Sequence, residues 1–131
     1  MTEPERLYRA LIVEDDPGIR RLVEKVLQRK GIQVDTAHDG KVAMAKIDAG
    51  RYDVILLDLM LPEANGYEVI EFVKRSGSGT PVAVVSAVSQ QALTNLDLDV
   101  VKLVIPKPFD VDELTTAIAG LCRTPITSGN V

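Results

Sequence analysis

The chain has 131 residues, 46% hydrophobic and 26% charged, the balance of a soluble globular protein long enough for one ordinary core. Lys and Arg total 15 against 19 Asp and Glu, a net charge of −4, which argues against a binder of nucleic acid or acidic membrane. A single Cys, Cys122, excludes an intrachain disulfide, and with a single His, His38, it excludes a His/Cys zinc site.

Short apolar runs then alternate with amphipathic stretches. Ala10 to Val13 reads as a buried strand. Asp16-Pro17 supplies an N-cap and a first-turn proline, and Ile19, Leu22, Val23, Val26 and Leu27 recur at the helical period up to Gly31. Ile32 to Ala37 is a second, more polar strand, expected near an edge. Gly40 to Ala49 is a helix with Val42, Ala43 and Ile47 on one face. Val54 to Leu57 is the third strand. Asn65-Gly66 reads as a turn feeding a helix from Gly66 to Arg75. Pro81 to Val85 is the fourth strand, Ser89 to Leu96 a weak helix and Val101 to Ile105 the fifth strand. Asp110 and Glu113 have capping-box spacing for a last helix burying Val111, Leu114, Ile118 and Leu121. Residues 1–122 are expected to form the domain and 123–131 a flexible tail. The first six residues lack the basic start of a signal peptide, and no apolar run approaches the roughly 18 residues of a membrane span, so a cytoplasmic location is expected.

Strands apolar on both faces and joined by helices predict a parallel sheet covered on both sides. Ligands of such sheets bind beyond the carboxyl ends of the strands. Those ends carry Glu14, Asp15 and Asp16 after the first strand, Asp58 after the third, Ser86 after the fourth and Lys107 after the fifth. Parallel strands bring these groups to one edge. Two carboxylates about 4 Å apart repel by roughly 4 kcal/mol at an effective dielectric of 20. One lysine does not balance three acids, so the cluster takes up protons or holds a hard cation such as Mg²⁺. With cation and lysine present, the site suits a phosphoryl group, and a carboxylate can be its acceptor.

Val13-Glu14-Asp15-Asp16, Leu57-Asp58-Leu59-Met60-Leu61-Pro62, Val85-Ser86-Ala87 and Lys107-Pro108-Phe109 together resemble the motifs of receiver domains of bacterial two-component response regulators. The match runs from about residue 8 to 122 and is similar to the stand-alone chemotaxis type. The resemblance implies a flavodoxin-like (βα)5 fold, a doubly wound five-stranded parallel sheet of order 2-1-3-4-5. It implies Asp58 as phosphoacceptor, with Asp15, Asp58 and the Met60 carbonyl as Mg²⁺ ligands and Glu14 acting through water. Mn²⁺ is an alternative ion. Ser86, Ala87 and Lys107 are implied as phosphoryl-contacting or switch residues, and the Lys107–Pro108 bond as cis. The implied partner is a histidine kinase or phosphotransfer protein. A downstream protein would be met on the face made by the helix at 89–96, the fifth strand and the last helix, with no direct contact to nucleic acid or membrane.

The sequence departs from that pattern at Asn65-Gly66, where Asp-Gly is usual, and at Val100-Val101, where Gly-Ala is frequent. Val104 stands where members often carry the Tyr or Phe that swings on activation, so a switch without that ring is expected. Met60 and Val88 are apolar at positions that help orient the hydrolytic water, which predicts a long-lived phosphoryl group. The protein is expected to be no enzyme beyond its own phosphorylation and dephosphorylation. Two alternatives stay open: a module of the same fold that ignores phosphate, and a metal-dependent phosphohydrolase. The second normally needs an acid where Met60 stands. A flavodoxin-type flavin carrier is disfavoured by Glu14-Asp15-Asp16, which would repel a phosphate.

Overall fold

The computed structural model describes residues 7–61, 65–87 and 96–123. Five parallel strands form one sheet in the order β2-β1-β3-β4-β5, as predicted. They are β1 (Arg9–Val13), β2 (Gln33–Ala37), β3 (Val54–Asp58), β4 (Val82–Ser86) and β5 (Val101–Pro106). Among the described residues four helices flank the sheet: α1 (Pro17–Arg29), α2 (Gly40–Ala49), α3 (Gly66–Ser76) and α4 (Val111–Arg123). Predicted and observed boundaries differ by a residue or so at several ends, within the usual fraying. Residues 89–95 of the predicted weak helix, Val88, and all of the predicted tail after Arg123 lie outside the described residues. Leu96, its last predicted residue, lies in a bend and is buried.

The period-2 alternation of the strands sorts the core into two layers. Leu11, Val13, Ile55, Leu57, Val82 and Val84 face Ala43 of α2 and Val69, Ile70 and Val73 of α3. Ala10, Ile12, Val54, Leu56, Ala83 and Val85 face Val23 and Leu27 of α1 and Leu114, Ile118 and Cys122 of α4. Each fully buried Leu, Ile or Val contributes roughly 1.5–3 kcal/mol. β1, β3 and β4 are therefore hydrophobic throughout because both their faces are covered, whereas β2 and β5 are edges and carry exposed residues. Cys122 is buried in the second of these layers.

The caps place the helix starts. Asp16 accepts the backbone N–H groups of Gly18 (2.8 Å) and Ile19 (3.1 Å), which fixes where α1 begins after β1. Asp39 does the same for α2 through Val42 N–H. Asp110 accepts from Glu113 N–H at 3.0 Å. A complete capping box stands at Asn65 and Glu68, each side chain bonded to the other's backbone N–H. The helix start at Gly66 was expected from the sequence, but the box that caps it was not.

At the amino ends of the strands, Arg9 Nη2 lies 2.6 Å from Asp35 Oδ2, and the Tyr52 hydroxyl donates to the same oxygen at 2.7 Å. The guanidinium carbon is 4.9 Å from the centre of the Tyr52 ring. This network ties β1, β2 and the segment before β3 at the edge opposite the acidic cluster.

Candidate functional site

Strand parity and register build the site. Glu14 continues the row of Ala10 and Ile12, and Asp58 continues the row of Val54 and Leu56, so both acids emerge on the side covered by α1 and α4. β1 and β3 are adjacent, with Val13 opposite Leu57, which brings the two acids together. Asp58 is opposite Val85, one residue before Ser86, and Ser86 is opposite Pro106, one residue before Lys107. A hydrogen bond from Lys107 N–H to the Ser86 carbonyl, 3.1 Å, extends that ladder into the site.

Lys107 Nζ lies 2.9 Å from Asp58 Oδ2 and 3.2 Å from Glu14 Oε1. Glu14, Asp58 and Ser86 are buried, Lys107 is half-buried, and Asp15 and Ala87 are exposed. The second oxygen of Glu14 accepts Asp16 N–H at 3.1 Å, and the second oxygen of Asp58 accepts Met60 N–H at 3.0 Å. The Glu14 backbone is held in turn by a 3.0 Å bond from its N–H to the Ala37 carbonyl. The predicted convergence of Glu14, Asp58 and Lys107 is thus present. The Lys107–Pro108 peptide is cis. Asp16 caps a helix, and His38 is an exposed loop residue beside Asp39.

Burial is the largest influence on Glu14 and pushes its carboxyl above the ordinary value. The Asp16 N–H pulls it back, the Asp58 charge raises it, Lys107 lowers it, and the net direction is up. For Lys107, burial is also the largest single influence and would lower it. The hydrogen bonds and charges of Asp58 and Glu14 together outweigh burial, so the ammonium is held above its usual value. The lysine is fully charged at neutral pH, and it is one basic group among three acidic ones, an excess of acids over bases.

That excess is the test of fit for a cation. One carboxylate oxygen from each of Glu14, Asp15 and Asp58 lies within 4.8 Å of the other two. The three acids thus face one small volume, wide enough for a cation to meet some of them directly and another through water. An all-oxygen donor set with one exposed member suits a hard divalent ion that keeps several waters.

Sequence reasoning missed two supports of the site. Arg20, in the first turn of α1, donates from Nη1 to the carbonyls of Glu14 (2.8 Å) and Asp15 (3.4 Å). Gly66, at the start of α3, donates its N–H to the Leu59 carbonyl at 3.0 Å, and a Cβ at residue 66 would lie 2.6 Å from Leu59 Cα. No spacing rule marks Arg20. For Gly66 the signal was the Asn-Gly pair itself, read as a turn and not as a close contact.

A family model described as the response regulator receiver domain matches residues 10–119. The transcriptional regulatory protein DltR of Streptococcus agalactiae is 39% identical over 112 residues, which are 84% of this chain and 50% of that protein. The transcriptional regulatory protein TcrA of Mycobacterium tuberculosis is 37% identical over 117 residues, 88% of this chain and 46% of that protein. The chain spans about half the length of these curated relatives. The receiver domain of the Francisella response regulator 1452 superposes with a TM-score of 0.82 at 28% identity, covering 88% of this chain and 97% of that one. TrrA of Thermotoga maritima, solved with Mg²⁺ and BeF, superposes with a TM-score of 0.78 at 30% identity, covering 88% of this chain and 99% of that one. Among the described residues no helix is long and apolar enough to cross a membrane. Motifs, strand order and sequence match agree, and the chain belongs to the receiver domain family of two-component response regulators.

Proposed function

We propose that this receiver takes a phosphoryl group onto Asp58 from a phosphohistidine of a histidine kinase or phosphotransfer protein, and that the charge so added changes its affinity for a downstream protein. One observation carries the reading: a lysine ammonium 2.9 Å from a buried strand-end aspartate inside a cluster of three carboxylates. In the transfer, an Asp58 carboxylate oxygen attacks phosphorus, the P–N bond to the imidazole breaks, and the departing nitrogen keeps or takes up its proton. Such transfers need little covalent help from the protein, so positioning and charge do most of the catalysis. Met60 N–H and Lys107 hold the two oxygens of Asp58 and so orient the nucleophile. Lys107 is placed to follow the charge onto the phosphoryl oxygens, and Ser86 and Ala87 are at the end of the neighbouring strand. Asp15, Asp58 and the Met60 carbonyl are the groups to hold Mg²⁺ or Mn²⁺, with Glu14 through water. When bound, the ion supplies charge neutralisation for the phosphoryl oxygens.

The domain is read as residues 1–122, supported by the family match to residues 10–119. We place the reaction in the cytoplasm and assign the chain no turnover beyond its own phosphorylation and dephosphorylation. The output face includes the outer side of β5, where Lys102 and Val104 are exposed, and neither nucleic acid nor membrane is a direct partner in this reading. Val104 leaves no ring to swing, so the switch works through backbone and packing.

The reading is tested by incubating the full chain with Mg²⁺ and acetyl phosphate. The expected result is a mass increase of one phosphoryl group that is labile to hydroxylamine and absent when EDTA is added. No incorporation would return the chain to the alternative of a phosphate-independent interaction module.

Asp15→Asn separates the metal from the fold. The exposed carboxylate is repelled by Glu14 and Asp58, and solvent screens that repulsion to about 1 kcal/mol. The variant should melt slightly higher than the parent without metal, yet lose Mg²⁺ binding and labelling. Equal Mg²⁺ affinity in calorimetry would remove Asp15 from the ligand set.

A further inference from the structure

The loop that joins β1 to α1 carries the acidic pair, and one side chain grips it from the helix. Arg20 is half-buried, and its Nη1 donates to the Glu14 carbonyl at 2.8 Å and the Asp15 carbonyl at 3.4 Å. Its own backbone N–H donates to the Asp16 carbonyl at 2.9 Å. A single residue thus holds three successive carbonyls of the loop. The N–H groups of the same loop are used elsewhere, Glu14 on Ala37 and Asp16 on the Glu14 carboxylate. Charge acts both ways here: a guanidinium offsets the acidic cluster when no cation is bound and repels a cation that binds. Geometry acts one way: fixing two consecutive carbonyls fixes the peptide between them, and with it the directions in which the Glu14 and Asp15 side chains leave the backbone.

We propose that Arg20 is a positioning residue of the metal site, acting through the Glu14 and Asp15 carbonyls to hold both carboxylates toward Asp58. The proposal rests on the reading of Glu14, Asp15 and Asp58 as the Mg²⁺ site. Its effect opposes that of the Arg20 charge, and the two can be separated. Arg20→Lys keeps the charge, but its ammonium lies one bond nearer the backbone and lacks the planar guanidinium. Arg20→Gln removes the charge as well.

The experiment is Mg²⁺ titration by calorimetry of the full-length parent and both variants, followed by acetyl phosphate labelling across Mg²⁺ concentrations. Arg20→Lys is expected to bind Mg²⁺ roughly tenfold more weakly, the low end of what losing a group that orients a metal ligand costs. Its maximal labelling rate at saturating Mg²⁺ should match the parent, because Arg20 places the ligands and does not touch the reacting atoms. Arg20→Gln should also bind more weakly, by less, since loss of the positive charge favours the cation. Should Arg20→Gln fail to fold, Arg20→Lys alone decides. Parental affinity in Arg20→Lys, or tighter binding in Arg20→Gln, would overturn the proposal and leave Arg20 a purely electrostatic neighbour. A reduced maximal rate at unchanged Mg²⁺ affinity would also overturn it, by placing Arg20 on the donor. A parent that binds no Mg²⁺ at all would overturn the metal reading itself, and the proposal with it.

Discussion

Gly66→Ala is expected to destabilise the protein by about 2 kcal/mol and to weaken Mg²⁺ binding and labelling together. The new Cβ would meet Leu59 Cα at 2.6 Å and the Leu59 carbonyl oxygen at 3.0 Å. Both are backbone atoms, so neither can swing aside, and overpacking of this kind costs roughly 1–3 kcal/mol. Ala is the better helix former by up to about 1 kcal/mol, which offsets only part of the clash. To relieve it, α3 and the Leu59-Met60 segment must separate. That breaks the 3.0 Å bond from Gly66 N–H to the Leu59 carbonyl and moves Met60, whose N–H holds Asp58 and whose carbonyl is a proposed ligand. Gly120→Ala is the control. It lies on the exposed side of α4 with nothing within 4 Å of a Cβ, so it should stabilise by roughly 0.5–1 kcal/mol and leave the site untouched. Chemical denaturation and Mg²⁺ titration of both variants check the pair. A Gly66→Ala protein with parental Mg²⁺ affinity would detach the start of α3 from the metal site.

Lys107→Met should cost about 2–3 kcal/mol at neutral pH and much less in acid. The ammonium bonds Glu14 and Asp58, whose side chains are each only 7% exposed. Deleting one partner of a buried ion pair costs roughly 3–5 kcal/mol, and the lower figure follows here because Lys107 keeps 21% exposure to screening water. Loss of the lysine leaves the Asp16 N–H but removes the Lys107 charge and hydrogen bond that also lower the Glu14 pKa, so that carboxyl rises further above its ordinary value. A carboxyl raised in the fold stabilises fully below its unfolded pKa and loses that contribution as pH rises through its folded one. The gap between parent and variant is therefore widest near neutral pH and narrows on acidification, as Glu14 takes up a proton. Millimolar Mg²⁺ should restore part of the stability by replacing the missing charge. Urea denaturation near pH 7 and near pH 4.5 checks this. A gap independent of pH would mean that packing of the lysine stem, and not its charge, is what is lost.

What the sequence made legible follows from how local each signal is. Val54 to Leu57 and Ala10 to Val13 are apolar runs that each end on an acid, so their burial on both faces and the place of Glu14 and Asp58 at their ends could be read directly. Asp16 before Pro17 marked the start of α1 because the cap bonds its own next residues. The sheet order needed the family resemblance, since no local pattern says which strand lies beside which. Contacts between distant segments were not legible. Arg9, Asp35 and Tyr52 form one network across three elements, yet in the sequence they are a surface-type arginine, an aspartate in a polar strand and a tyrosine before an apolar run. Arg20 reads as a helix-surface residue until the helix is placed over the loop that precedes it. The helix start at Gly66 was legible, but the Asn65–Glu68 box was not, because Asn65-Gly66 reads first as a turn.

Asp58 as the acceptor can be tested directly. The full chain is labelled with acetyl phosphate and Mg²⁺, reduced with borohydride and digested, and the modified residue is located by mass spectrometry in the parent and in Asp58→Asn. Modification at Asp58 alone is expected, and none in the variant. Modification at another residue, or labelling of Asp58→Asn at the parental rate, would contradict that assignment.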